Sequence, residues 1–325
     1  MRVLSVISLV VLVFAAAALF GAEPTVSATS KYVPDSCITV VTISGIQTDQ
    51  GVSWMIDSWI KSPRESPLRD LLKTFIPQEM SVAFFPAKQD APMYLLAAMS
   101  LPKGAKPDKE KIENVIRLKP ESAVQTLTHK GTTIGYTTGQ KGPEDFGAYA
   151  LLADTLIFAT DADLLKAALD GPSIDKAPNY QKTRAQFPKA KDGLLFADNS
   201  GKKFAAFLGT LEKKWKMTLL LSSQYLEWMA SSFDVVNSTR VSGSFVMVGT
   251  DASRIEEIRD DAEFLGEAFR RKFIAEKIGY TSKVEVKDKT VVLTFDIQGL
   301  EPLWKRLFEQ GVLELFRPER PDSKG

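Results

Sequence analysis

Tyr149-Ala150-Leu151-Leu152-Ala153-Asp154-Thr155-Leu156-Ile157-Phe158-Ala159-Thr160 reads as two short apolar runs folded about Ala153-Asp154. That pattern predicts a β-hairpin. Asp161 follows at once, then Ala162 to Asp170 with Leu164, Leu165, Ala168 and Leu169 at helical spacing, then Gly171. An aspartate ahead of such a stripe and a glycine behind it are the start and stop signals of a helix. Hairpins interleaved with helices predict an α+β fold built on antiparallel sheets, not a parallel doubly wound sheet.

The same grammar extends toward the N-terminus. Val124 to Tyr136 is a hairpin about Lys130-Gly131, and Asp108 opens a charged helix carrying Ile112, Val115 and Ile116. Met80 to Phe85 and Met93 to Ser100 form a further hairpin. Ser66-Pro67 starts a helix bearing Leu68, Leu71, Leu72 and Phe75. A helix around Trp54, Met55, Ile56, Trp59 and Ile60 stops before Pro63, and Ile38 to Ser44 is a buried strand.

Toward the C-terminus, Gly171 to Pro178 reads as a proline-containing linker. Leu194 to Ala197 is a strand, and Phe204, Phe207, Leu208, Leu211 and Trp215 share one helical stripe. Met217 to Val236 reads as helical through Leu219, Leu226, Met229 and Phe233. Val241 to Val248 is a strand closed by Gly249. Ala252 to Ile278 is a long helix, with Ile255, Ile258, Ala262, Leu265 and Phe269 on one face, acids at its start and bases near its end. A hairpin about Asp288-Lys289 and a last helix holding Leu300, Leu303, Trp304, Leu307 and Phe308 complete the pattern. Asp154-Thr155-Leu156-Ile157-Phe158 corresponds to Lys289-Thr290-Val291-Val292-Leu293. The expectation is therefore two similar halves, 29–172 and 173–317, with amphipathic helices packed on one face of antiparallel sheets and a polar tail at 318–325.

Ahead of this body, Met1-Arg2 precedes an apolar run from Val3 to Phe20, broken only by Ser5 and Ser8. Small residues follow at Val26-Ser27-Ala28. This is the layout of a secretory signal peptide, residues 1–28, with cleavage after Ala28. A cut near Gly21 or Ala22 places Leu19 or Phe20 where a small residue belongs. Retention as an anchor is the alternative, since the run is about 18 residues long and within spanning length. No cysteine follows the run to carry a lipid, and no arginine stands beside Arg2 for a twin-arginine signal. The expected location is extracytoplasmic, with no membrane span once the leader is removed.

Lysine and arginine number 41 against 40 acids, and removing the leader takes only Arg2 and Glu23. So even a balance provides no field to steer the chain onto nucleic acid. Cys37 is the one cysteine and His129 the one histidine. No internal disulfide can form, and neither residue has a second of its kind with which to build a metal site.

Three Ser-x-x-Lys tetrads occur, Ser58 to Lys61, Ser173 to Lys176 and Ser200 to Lys203, the spacing that sets a lysine one helical turn from a nucleophile. Their partner motifs are absent. Asp161-x-Asp163 resembles the opening of a calcium loop, but the sixth position is Lys166 and the twelfth Pro172. His129 is expected to face solvent beside its turn, and Cys37 to be a small core residue. The aromatic set Trp54, Trp59, Trp215 and Trp228, with Met229, is either core or the lining of an apolar groove for a lipid tail or partner helix. No catalytic residue, cofactor or metal is implied.

Tyr32-Val33-Pro34-Asp35-Ser36 before an apolar strand, together with the Tyr149–Thr160 hairpin and Leu164-Leu165-Lys166-Ala167-Ala168-Leu169, resembles a group of uncharacterised bacterial exported proteins carrying a domain of unknown function. Cys37 departs from the small residue or threonine of that group. The resemblance implies export and the α+β fold, and it implies no activity. The expected function is non-catalytic binding or scaffolding in the cell envelope, with an envelope protein, peptide or lipid as partner. The alternative is an extracytoplasmic hydrolase, for which Ser200, Lys203 and a buried acid meeting in a pocket would be the sign.

Overall fold

The computed structural model describes residues 27–61, 66–86, 94–117, 119, 122–138, 145–187, 193–215 and 222–301. Its centre is β1 (Thr39–Ile43), buried at all five positions. β2 (Met80–Phe85) and β8 (Gly193–Asp198) flank it, and both pairings are antiparallel. Across the β1–β8 seam Val41 faces Leu195, with Val40 opposite Phe196 and Thr42 opposite Leu194.

From this seam the sheet grows in both directions. On one side β2 is followed by β3 (Tyr94–Ser100), β7 (Thr155–Ala159), β6 (Ala148–Leu151), β5 (Thr132–Tyr136) and β4 (Gln125–His129). On the other, β8 is followed by β9 (Leu226–Asn237), β10 (Arg240–Gly249), β12 (Thr290–Gln298) and β11 (Gly279–Lys287). The result is one continuous 12-stranded antiparallel sheet. The hairpins expected at Lys130-Gly131, Ala153-Asp154 and Asp288-Lys289 are all present. Gly131 takes a φ of 79° in the first, a left-handed position that suits glycine.

Seven helices accompany the strands among the described residues: α1 (Gln50–Lys61), α2 (Pro67–Leu72), α3 (Lys109–Ile116), α4 (Ala162–Asp170), α5 (Pro178–Gln186), α6 (Lys203–Trp215) and α7 (Ile255–Ala275). Their starts follow the capping logic of the sequence. The Asp108 side chain accepts from the Glu110 amide, and that of Asp161 from the Leu164 amide. Gly171 follows α4 in an extended conformation, where a Cβ would stand 2.8 Å from the Ala167 carbonyl oxygen.

The helices do not all lie on one face, which corrects the expectation. Val41, Val82, Phe84, Leu95, Met99, Phe158 and Leu195 belong to one core, while Val40, Ala83, Leu96, Ala98, Ile157 and Phe196 belong to a second. Adjacent strand residues point to opposite sides, so these are the two faces of the sheet. α1, α2, α3, α6 and α7 cover the first through Val52, Ile56, Leu71, Ile112, Phe204 and Ile258. α4 and α5 cover the second through Leu165, Ala168 and Tyr180. The physical reason is in the central strands, which are apolar at successive positions and need cover on both sides.

A second correction concerns the segment read as helical to Val236. Residues 226–237 are β9, paired throughout with β10 and, over Trp228 to Phe233, with β8. Trp228 and Ala230 enter one core, and Met229, Phe233 and Val235 the other. The three-and-four spacing of Leu226, Met229 and Phe233 coincides with a helical face, but two-sided pairing decides the structure.

The linker is also more than a spacer. Ile174 is fully buried, Pro34 and Ser173 form a β-bridge, and the Ile174 amide donates to the Val33 carbonyl at 2.7 Å. The residues of the last expected helix beyond Glu301, the polar tail and the leader as far as Val26 lie outside the described residues.

Because the seam joins both ends of the sheet, Leu195→Ala is expected to cost about 2–5 kcal/mol and to weaken one cooperative transition. Denaturant unfolding followed by tryptophan fluorescence and by far-ultraviolet circular dichroism checks this. Two separated transitions would mean that the parts unfold independently.

Candidate functional site

Of the three Ser-x-x-Lys tetrads, the one at the end of β8 brings serine, lysine and a buried acid together. Asp198 is the last residue of β8, and the chain turns through Ser200–Lys202, with Gly201 at φ 63°, into α6 at Lys203. Lys203 Nζ lies 2.7 Å from Asp198 Oδ2. Ser200 Oγ donates to the same oxygen at 2.5 Å, and the Ser200 amide donates to Oδ1 at 3.2 Å. Asn179 Nδ2 reaches Oδ1 at 3.4 Å. Lys203 also donates to the Asp35 carbonyl at 3.4 Å, tying the segment ahead of β1 to α6.

The arrangement is poor for acyl transfer. Burial works against the Asp198 charge, but hydrogen bonds from Lys203 and Ser200 outweigh it and hold the carboxyl below its usual range. Such a carboxylate has little basicity with which to activate Ser200. An ammonium in an ion pair has no lone pair to offer, so Lys203 does not supply the base that a serine–lysine pair requires. Cys37, fully buried nearby, is pushed up to about 12, chiefly by burial, with Lys203 opposing and Asp198 and Asp35 assisting. It is a core thiol, as its sequence position suggested. Of the other tetrads, Ser173 is bridged to Pro34 and Lys176 is exposed, while the side chains of Ser58 and Lys61 lie outside the described residues.

A second polar cluster is one that sequence reasoning missed. Glu79, 7% exposed just ahead of β2, accepts at Oε1 from Ser27 Oγ at 2.6 Å, the Thr29 amide at 2.8 Å and Thr29 Oγ1 at 2.6 Å. Ser44 Oγ reaches Oε2 at 3.4 Å. Thr29 Oγ1 lies 2.7 Å from Ser81 Oγ, which lies 2.9 Å from Thr42 Oγ1 on β1. Ser30 Oγ donates to Asp175, whose carboxyl is raised by burial despite that bond. The buried Tyr180 hydroxyl stands near Thr42 and Ser30 without a hydrogen bond. The Ser27–Ser30 run reads in sequence only as a peptidase site, and 50 residues separate Thr29 from Glu79.

Within the aromatic set, Trp228 and Met229 do not share one groove. Trp228 and Met229, each 3% exposed, are consecutive on β9 and enter opposite cores. Trp228 packs near Phe196, ring centroids 6.5 Å apart. Trp54 is exposed on α1. Trp59 and Trp215 belong to α1 and α6, but their side chains lie outside the described residues. Among the described residues the most exposed large apolar side chains are Phe264 at 61% and Ile274 at 55%, both on α7.

His129 does not stand alone beside its turn. Its Nε2 lies 2.7 Å from Asp170 Oδ2, and Lys130 Nζ lies 2.8 Å from Oδ1, so the β4 end of the hairpin is clamped to the end of α4. Asp161 caps α4 through the Leu164 amide, and Asp163 pairs with Lys166. Among the described residues no three potential metal ligands converge, and no helix is long and apolar enough to cross a membrane.

Two tests follow from this geometry. Cys37 is expected to resist an aromatic disulfide reagent at pH 8 in the native chain and to react stoichiometrically in denaturant, with native reactivity as the contrary result. Asp198, its folded carboxyl depressed, contributes stability that is complete above about pH 4 and is lost as pH falls through the lower folded value. Asp198→Asn should remove that acid dependence and cost about 1–3 kcal/mol at pH 7, measured by denaturant melts across pH 2–7. The chain matches no protein-family model, no curated protein and no solved structure.

Proposed function

We propose that this is an exported protein of the bacterial cell envelope that binds or scaffolds a partner without catalysis, related to the exported group its sequence resembles. The observation that carries this reading is the state of its chemistry-bearing side chains. Ser200 and Lys203 are both committed to Asp198, and Cys37 is sealed in the core. His129 is tied to Asp170. The leader-like opening and near-neutral charge support export and argue against nucleic acid.

The partner we favour is another protein. Phe264 and Ile274 are exposed on α7 among ion pairs such as Arg254–Glu257 and Arg270–Glu267. Apolar anchors within a charged rim suit a protein surface better than a lipid tail, which needs a continuous apolar cavity.

We also read the molecule as two copies of one unit. The order β1-β2-β3-β7-β6 outward from the seam parallels β8-β9-β10-β12-β11, and β1–β8 pairing is antiparallel, as a two-fold relation requires. The helices fall in step, α1 and α6 after the first strand of each copy and α3 and α7 after the third. The first copy carries β4 and β5 as an extra hairpin.

The direct test is native mass spectrometry of the protein recovered from its own envelope without detergent. A stoichiometric added mass of a polypeptide is the expected result, and Phe264→Ser with Ile274→Ser should weaken its retention at least tenfold. An added lipid mass would replace the protein partner. A bare monomer that turns over an ester or peptide library, with turnover lost in Ser200→Ala, would overturn the reading in favour of a hydrolase.

A further inference from the structure

Glu79 is a buried acid that no counter-ion meets among the described residues. Among the described residues no lysine or arginine pairs with it, and its donors are the hydroxyls of Ser27, Thr29 and Ser44 and one backbone amide, that of Thr29. Buried charges are ordinarily paired with an opposite charge, because neutral donors replace only part of the lost hydration.

The chain contains a means of making that charge. The bond expected to be cut lies between Ala28 and Thr29. Its hydrolysis adds water: the Ala28 carbonyl carbon gains the hydroxyl and becomes a carboxylate. The Thr29 nitrogen takes up protons and becomes an α-ammonium. We propose that Glu79 is the docking site for the α-ammonium of a chain beginning at Thr29, a site completed by maturation. The proposal rests on the export reading and adds to it a specific receptor for the new terminus.

The geometry is already in place. Thr29 N lies 2.8 Å from Glu79 Oε1, so the ammonium, formed before docking, comes to rest where the amide now sits. Its additional N–H groups can occupy the position vacated by Ser27 Oγ, which stands 2.6 Å from the same oxygen and leaves with the leader. Thr29 Oγ1 keeps its contacts with Glu79 and Ser81. The departing Ser27 Oγ is also the acceptor for the Ser30 amide at 3.0 Å, which then turns to water. Ala28 is exposed, whereas Ser27 and Thr29 on either side of it are buried. A peptidase cannot draw this segment into its cleft once it has docked, so cleavage comes first and docking follows.

The experiment expresses the full-length chain, recovers the processed protein from the envelope, and measures its intact mass and the labelling rate of its α-amine by an N-terminus-selective aldehyde. A mass beginning at Thr29, with labelling at least tenfold slower in buffer than in denaturant, is expected. Glu79→Gln should label at least tenfold faster than wild type in buffer. If that variant does not fold, the ratio of native to denatured wild-type rates decides alone. A chain that begins at Thr29 but labels equally fast in both conditions overturns the docking while leaving export standing. A processed chain beginning elsewhere overturns it as well, and a chain that keeps its first 28 residues in the cytoplasm removes the export reading together with the proposal.

Discussion

The structure depends on β1 being buried on both faces between β2 and β8. Its five residues form a short element, yet Val41 enters one core and Val40 the other, and the strand is paired along both edges. β1 comes early in the chain and β8 much later, so the seam closes only after most of the first part has been made. Such long-range pairing is slow to form, because loop closure precedes the contacts that reward it. Once closed, the seam makes each side of the sheet a condition for the burial of the other.

β1 also brings a polar problem into the interior, and the segment ahead of it provides the solution. Thr42 points among Ser81, Thr29 and the Tyr180 hydroxyl, and Glu79 lies just beyond. Residues 27–37 run over this patch as a strap. Thr29 is fastened to Glu79, Ser30 to Asp175, Pro34 to Ser173 and the Asp35 carbonyl to Lys203. Two of these fastenings reach the stretch 173–175, which explains why Ile174 is fully buried in a segment that reads as a spacer. A buried polar network of this kind specifies one arrangement strongly when its members are satisfied, and it is costly when one is lost.

What the sequence disclosed was local. The hairpins at Lys130-Gly131 and Asp288-Lys289, the caps at Asp108 and Asp161 and the stripe of α7 depend on neighbours within a few residues, and all are visible in the pattern. β9 was not, because Leu226, Met229 and Phe233 satisfy helical spacing and only pairing with β8 and β10 excludes a helix. The two-sided cover of the sheet was missed for a related reason. Successive apolar residues in β1 and β8 signal burial without stating which helices supply it. At the candidate site, Ser200 and Lys203 were legible as a motif, whereas the role of Asp198 was not, since the tetrad pattern begins two residues after it. Glu79 was invisible because its partners are distant in sequence and its own neighbourhood is an ordinary strand start.

The two polar clusters invite comparison, because similar groups do different things in them. At Asp198, a hydroxyl and an ammonium converge on one oxygen, Oδ2, and the carboxylate satisfies both. The lysine charge is neutralised where a nucleophile would need a free amine, so the cluster joins β8, α6 and the strap. At Glu79 the carboxyl group gathers hydroxyls and an amide and, among the described residues, no cation. The first cluster is electrostatically closed, with Lys203 paired to Asp198. The second is open by one positive charge, and its open position coincides with the atom that cleavage would turn into an ammonium. The strap touches both, at Asp35 and at Thr29, so it joins the closed cluster to the open one, and under the proposed docking the Thr29 α-ammonium supplies the cation that Glu79 lacks among the described residues.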